Sequence, residues 1–385
     1  MSTEQLIRMG QSNSIGPIQA VAEFKSAVMQ SEIAGILFFC SSSFDLGAIA
    51  REMNAAFPDV LVVGCTTAGE IGPQGCVKNT LSGLSFSSEG FTLDVATIDG
   101  LQNFTPVQGR TLVNNLMQNL EPKVPLTPND TFAFLLVDGL SLREEQLAHT
   151  LQEALGEFKL FGGSAADDLA FSKTWIFSEG TFQPDRAALV LVNTIYSFKL
   201  FKTQHFVSGD EKLVVTRADP KQRIVYEING YPAVEEYARI VNCPANKLDP
   251  EQFSATPFVI RINGMDYVRS IQKANADGSL KFYCAIDNGL IFMAARGIDL
   301  VKNLQQTFAD IESEIGKPQV VLVCDCVLRN LEIQRKGIKA EVEKLFKEHN
   351  VVGFNTYGEQ FRGIHINQTI TGLAIGTTRN RTYVR

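Results

Sequence analysis

Glu70 and Glu359 close two copies of one phrase. VVGCTTAGE occupies residues 62–70 and VVGFNTYGE occupies residues 351–359, both reading V-V-G-x-x-T-x-G-E. A carboxylate ending a glycine-containing loop can receive a ligand's ammonium group. It can equally accept hydrogen bonds from the loop's own amides. With the motif duplicated, a structural role common to both copies is expected for at least one of them. Gly64, Gly69, Gly353 and Gly358 let the backbone turn sharply or approach a ligand closely. A related stretch, GGSAADD (162–168), sets Gly162 and Gly163 before Ser164 and the pair Asp167 and Asp168. A nucleophilic serine needs a base beside it. The simpler reading is a ligand loop, or a tight turn with Asp167 or Asp168 capping backbone amides.

The chain has four histidines: His149, His205, His349 and His365. His149 and His349 fall in polar stretches of expected helices. His205 lies in YSFKLFKTQHFVSG, among Tyr196, Phe198, Phe201 and Phe206. An imidazole in an aromatic setting can serve as a haem ligand, because haem needs an apolar pocket and one proximal nitrogen. A hydrogen-bonded histidine on a half-exposed strand explains the same residues, and strand alternation does not choose between the two. Seven cysteines, none in C-x-x-C, argue against a disulfide framework. Cys324 and Cys326 share one face of an expected strand, where two small core residues are a simpler reading than a metal pair. Cys65 and Cys76 are the cysteines that a nucleophilic reading of the loops would use.

Several function classes are disfavoured. The chain carries no G-x-x-x-x-G-K-[ST], no G-x-S-x-G and no H-E-x-x-H. The 385 residues carry 35 basic and 42 acidic side chains, a net charge of −7. With no basic stripe, a nucleic-acid partner is not expected. No apolar run approaches the roughly 20 residues that span a bilayer, and the first residues lack the apolar core of a leader. The expected location is the cytoplasm.

The loops must be held by regular elements, and these repeat. GILFFC (35–40) reads as a buried strand. A helix follows, with Leu46, Ile49, Met53 and Phe57 at helical spacing, then the strand VLVVGC, the glycine loop, and the strands TLSGLSF and FTLDVATI. Residues 320–376 repeat the order: strand VVLVCDC, a helix presenting Ile338, Val342, Leu345 and Phe346, strand VVGF, loop NTYGEQFRG, and the returning strand HINQTITGLAIG. A looser third copy runs from FAFLLVDG (132–139) through a helix opened by a Ser141/Glu144 capping box to KLFGGSAADD and a hairpin turning near Glu179-Gly180. The unit is too long for an ordinary solenoid. Loops at the C-terminal ends of such strands are where open α/β sheets bind ligands, so Gly64, Gly69, Glu70, Gly162, Gly163, Asp167, Gly358 and Glu359 are ligand-loop candidates.

The expected fold is α/β, with internally repeated strand-helix-strand-glycine loop-hairpin units forming two packed α/β domains, 1–215 and 216–385. Residues 214–241 read as a hairpin followed by a helix starting near Pro232.

The motifs VVGCTTAGEI, FGGSAADD and GFNTYGE with HINQT resemble the FIST sensory domain, in its N-terminal and C-terminal parts, over about Gly35 to Gly376. That resemblance implies a non-catalytic signalling module that binds a small ligand, for which amino acids are one class. A stand-alone chain of this length also resembles the NosP group of haem proteins. That likeness implies a b-type haem held by a histidine, nitric oxide as the signal, and a partner histidine kinase or cyclic-di-GMP cyclase or phosphodiesterase. The histidine carries over to His205, with Phe201 and Phe206 beside the haem. The alternative is a FIST sensor for an organic small molecule such as an amino acid.

Overall fold

The computed structural model describes residues 6–379. It divides into two compact units. Among the described residues a core unit takes 6–202, 305–364 and 370–379, and an inserted unit takes 203–304 and 365–369. The units are thus discontinuous in the chain, which crosses between them four times.

The core unit contains three copies of one motif. The first runs strand Ile7–Ser12, helix Pro17–Val28, strand Ile33–Ser41, helix Leu46–Ala56, strand Leu61–Thr67, the hairpin Glu70–Gly72 and Gly75–Val77, and return strand Leu81–Ser87. The second runs strand Phe91–Asp99, helix Pro106–Leu120, strand Thr131–Val137, helix Glu144–Leu155, strand Lys159–Ser164, the hairpin Ile176–Ser178 and Thr181–Gln183, and return strand Arg186–Thr194. The third opens with strand Tyr196–Thr203. It continues with helix Leu300–Ile315, which begins within the last residues of the insertion, strand Val320–Cys326, helices Val327–Arg335 and Lys339–Glu348, strand Val351–Thr356, the hairpin Glu359–Phe361 and Ile364–Ile366, and return strand Ile370–Arg379.

Each copy folds into a sheet ordered opening strand, return strand, first parallel strand, second parallel strand. Each sheet is then completed by a hairpin from another copy. The hairpin at 176–183 joins the first sheet, that at 359–366 the second, and that at 70–77 the third. The exchange is cyclic, and its register repeats. Gly64 faces Phe177, Gly162 faces Gln360, and Gly353 faces Ile71. On its other side each glycine faces the neighbouring parallel strand, at Phe38, Leu135 and Val323. These equivalences confirm the third, looser copy.

The central strands are mostly apolar because both of their faces are covered. Thr131–Val137 and Val320–Cys326 are buried at every residue. Helices seal the outer faces: Phe24, Ile49 and Met53 pack on Ile36 and Phe38, and Val113, Leu147 and Leu151 pack on Ala133 and Leu135. On the inner side Phe39 stacks on Phe354 at 4.5 Å, so residues of the first and third copies meet directly.

Local details differ from the sequence reading. Ser141 forms no capping box; Arg143 caps the helix without a side-chain bond, and Ser141 Oγ donates to the Asp138 carbonyl. Leu142, at φ +58°, turns the chain between Ser141 and the helix and takes the serine out of capping reach. A capping box does form at Thr105 and Gln108, opening a helix that the apolar pattern left unread. FTLDVATI opens the second copy rather than closing the first.

The inserted unit is an antiparallel sheet in the order Met265–Arg269, Phe258–Ile262, Ile291–Gly297, Phe206–Asp219, Ile224–Ile228, Leu280–Phe282, Ile271–Ala274, with Tyr231–Pro232 paired to Ile224–Ile228. Helix Ala233–Ile240 starts at Pro232, as its φ of −52° allows. Tyr237, Phe258, Phe282 and Phe292 form its aromatic core, with Phe258 and Phe292 stacked at 4.8 Å.

Candidate functional site

The three glycine loops come together in the core unit and bond one another through their backbones. Ala68 N donates to Asn355 O at 3.0 Å, Ala166 N to Thr66 O at 2.9 Å, and Tyr357 N to Ser164 O at 3.3 Å. Each bond joins equivalent positions of successive copies, so the three close a ring. Two further bonds lock it, Asn355 N to Gly69 O and Ser164 N to Gly358 O, both 2.8 Å. Buried amides must find acceptors, and here each loop supplies them to its neighbour.

The side chains serve the same ring. Glu70 is 1% exposed and accepts from Thr67 Oγ1, from Thr80 N at 3.0 Å and from Thr80 Oγ1 at 2.6 Å. Burial raises its pKa from 4.5 to about 7, against the pull of those donors. Glu359 is fully buried and accepts from Thr356 Oγ1. The carboxylates therefore spend acceptors inside the fold. Asp167 caps three amides, Phe171 N, Ser172 N and Lys173 N, at 2.7–2.9 Å, and also accepts from Tyr357 Oη. Asp168 instead forms an exposed ion pair with Lys78 at 2.7 Å.

Of the nucleophile candidates, Ser164 and Cys65 are shielded and Cys76 is half-buried. Ser164 is fully buried, and its hydroxyl accepts from Gln360 Nε2 at 2.9 Å. Burial pushes the Cys65 thiol well above its ordinary range and Cys76 up to about 12. Cys324 and Cys326 are both buried, and the Cys324 side chain fills the space where a side chain at Gly163 would stand. Among the described residues no three of His, Cys, Asp and Glu are grouped as metal ligands.

Sequence reading missed one polar group beside the ring. Asp325 holds Arg329 at 2.8 Å, both buried, and burial lifts the Asp325 carboxyl to about 6 despite that guanidinium. Asn330 Nδ2 donates to Asn355 Oδ1 at 2.8 Å, tying the helix Val327–Arg335 to the third loop. The available signal was the four-residue spacing from Asp325 to Arg329, which joins a strand end to the first turn of a helix.

A cavity of about 430 Å³ in the core unit lies away from the loops. Val60, Leu61 and Val62 line it with Asn54, Phe177 and Gly180. It therefore sits where the second parallel strand of the first copy begins. The opposite, C-terminal end of that strand, where α/β sheets usually receive ligands, is occupied by the ring.

The aromatic histidine segment is divided. Phe201 belongs to the core unit, its ring lying where a side chain at Gly372 would be. His205 and Phe206 belong to the inserted unit. His205 is not on a strand but in the break between Tyr196–Thr203 and Phe206–Asp219. Its side chain is 0% exposed, its ring packs on Phe206 at 4.2 Å, and its carbonyl accepts from Ile298 N at 2.7 Å. A porphyrin needs an open face at the ligating nitrogen. No water-sized space touches this imidazole, so the residues as packed here do not fit a haem.

Three α/β copies clasped by their own loops, with an antiparallel unit inserted in the third, define a modular α/β protein. The FIST N domain matches residues 35–231 and the FIST C domain residues 233–362, and the chain belongs to the FIST family. FIST domains are sensory domains that bind small ligands, so the chain is a signalling sensor. The boundary between the two matches falls inside the inserted unit. No curated protein matches the chain.

Proposed function

We propose that the chain is a non-catalytic sensor for an organic small molecule such as an amino acid. The inserted unit receives the ligand, and the clasped core unit carries the response to a partner histidine kinase or cyclic-di-GMP enzyme. One observation carries this reading. In the first copy the chain returns from its hairpin through Lys78-Asn79-Thr80, where Thr80 clamps Glu70. In the third copy the corresponding return, His365–Thr369, belongs to the inserted unit. A ligand that shifts the inserted unit thus acts on the chain only six residues after Glu359, which lies in the ring. A ligand that favours one position of this segment would bias the ring. The shielding of Ser164 and Cys65 supports a non-catalytic role. The haem and nitric-oxide reading requires His205 to leave its packing against Phe206.

The test is a thermal-shift screen of metabolites followed by hydrogen exchange with the best compound. Protection within 203–304 and 365–369 is the expected result. Protection confined to the loops at 64–75 and 353–363 would overturn the placement.

A further inference from the structure

Arg269 ends the edge strand Met265–Arg269 of the inserted unit and is only 6% exposed. Its Nη1 donates to the carbonyls of Val268 at 3.2 Å and His365 at 3.4 Å. Its Nε is buried and meets no acceptor. No carboxylate pairs with it among the described residues. A guanidinium stays charged at every accessible pH, and taking it from water is strongly unfavourable unless an anion compensates.

The inserted unit supplies no such anion. Glu236 is its one buried carboxylate among the described residues, and it is held by Arg239 at 2.9 Å and Asn229 at 3.0 Å. Asp266, on the same strand as Arg269, is held by Arg261 at 2.8 Å. A second buried arginine, Arg223, lies close by: its Nη1 reaches the Tyr283 carbonyl, and Tyr283 N donates to Ser270 O. Next to Arg269, Ser270 Oγ donates to Gln368 Oε1 at 2.8 Å, and Gln368 Nε2 donates to Ser254 O at 2.8 Å. The strand end is therefore fixed by hydrogen bonds, while the guanidinium lacks its counter-ion.

We propose that Arg269 binds the carboxylate of a small organic ligand. With Nη1 occupied by two carbonyls, the Nε–Nη2 edge, once the packing over the buried Nε parts, can donate two parallel hydrogen bonds, the geometry a planar carboxylate matches. This rests on the reading of the inserted unit as the ligand-receiving part, and it names the ligand's chemical class. The return segment His365–Thr369 contributes the His365 carbonyl that orients the guanidinium. Filling the site therefore bears on the segment through which the response is proposed to pass.

The test uses the full chain and a bare carboxylate as probe. Melting temperatures of the wild type, Arg269→Met and Arg269→Lys are compared in sodium acetate and in sodium chloride of equal ionic strength, with acetamide as the neutral control. Acetate is expected to raise the wild-type midpoint by about 2 °C or more over chloride. Arg269→Met is expected to lose that difference and, in chloride, to melt no lower than the wild type, because it removes an uncompensated charge. Arg269→Lys keeps the charge without the fork and is expected to lose most of the difference. If Arg269→Met does not fold, the lysine variant decides alone. An acetate effect equal in wild type and variants, or none in the wild type, would overturn the assignment. A metabolite that still protects 203–304 would then leave the sensor reading standing. An acetate effect that depends on Arg269, with no metabolite protecting the unit, would retain the anion site and sink the sensor reading.

Discussion

Tyr357 and Asp167 lie 190 residues apart in the chain, and the tyrosine hydroxyl hydrogen-bonds the carboxylate. The first belongs to the loop of the third copy and the second to the loop of the second. Phe171, whose amide Asp167 also caps, stacks its ring on Tyr357 at 4.6 Å. The contact thus joins two loops by a polar bond and a ring pair at once.

Replacing Asp167 by Ala strands three loop amides and the Tyr357 hydroxyl, and should cost about 2–4 kcal/mol. Tyr357→Phe keeps the ring stack and should cost about 1 kcal/mol. Urea unfolding of both single variants and the double variant measures the coupling. Strict additivity would mean that the bond contributes nothing to closing the ring.

Gly353 should tolerate no side chain. A Cβ there would lie 1.9 Å from the Val323 carbonyl oxygen, in the middle of the parallel pair. Gly353→Ala must push the strands apart and should cost about 3 kcal/mol or more, or prevent folding. Gly16→Ala, with no atom within 4 Å of the added carbon, should change stability by less than about 0.5 kcal/mol. Equal melting temperatures for the two variants would refute the close-approach role of Gly353.

That role explains why the repeat was readable at all. The glycines in VVGCTTAGE, LFGGSAADD and VVGFNTYGE mark positions where strand meets strand too closely for a Cβ, so each copy needs the letter. The apolar runs at 35–40, 132–137 and 320–326 were legible because their strands are buried on both faces. The cyclic exchange of hairpins was not legible, because Glu70–Gly72 would satisfy a strand pattern equally well beside its own sheet or another. The inserted unit was hidden for a related reason. Residues 365–369 read as the start of a returning strand, and only tertiary contacts assign them elsewhere. Arg269 sits in DYVRSI with no motif around it. Its significance lies in the missing carboxylate, which no local pattern reports.

Hemin should find no ligand in His205. Absorption spectra with hemin, then dithionite, then nitric oxide should match between wild type and His205→Ala, because the imidazole is enclosed against Phe206. The alanine variant should still lose about 1–3 kcal/mol of stability through the cavity it leaves. A sharp Soret band present in the wild type and lost in the variant would show that the inserted unit opens to admit a porphyrin, and would restore the haem reading.

The clasp should make stability fall as the pH rises from about 4.5 to about 7. Glu70 titrates at about 7 in the fold and at 4.5 outside it. Between those values the folded chain holds a proton that the unfolded chain has released, so stability declines with rising pH. The contribution is fully present below 4.5 and is lost as pH passes through about 7, a change of ~3 kcal/mol. Asp325, lifted from 3.8 to about 6, acts in the same direction at a lower pH. Glu70→Gln removes the ionisation and can still accept from Thr80. It should be more stable than the wild type at pH 8, with the gap closing near pH 5. Urea midpoints across that range decide the matter. A wild type that gains stability from pH 5 to 8 relative to Glu70→Gln would mean that the carboxylate is ionised at neutral pH, and that the Thr67 and Thr80 donors outweigh its burial.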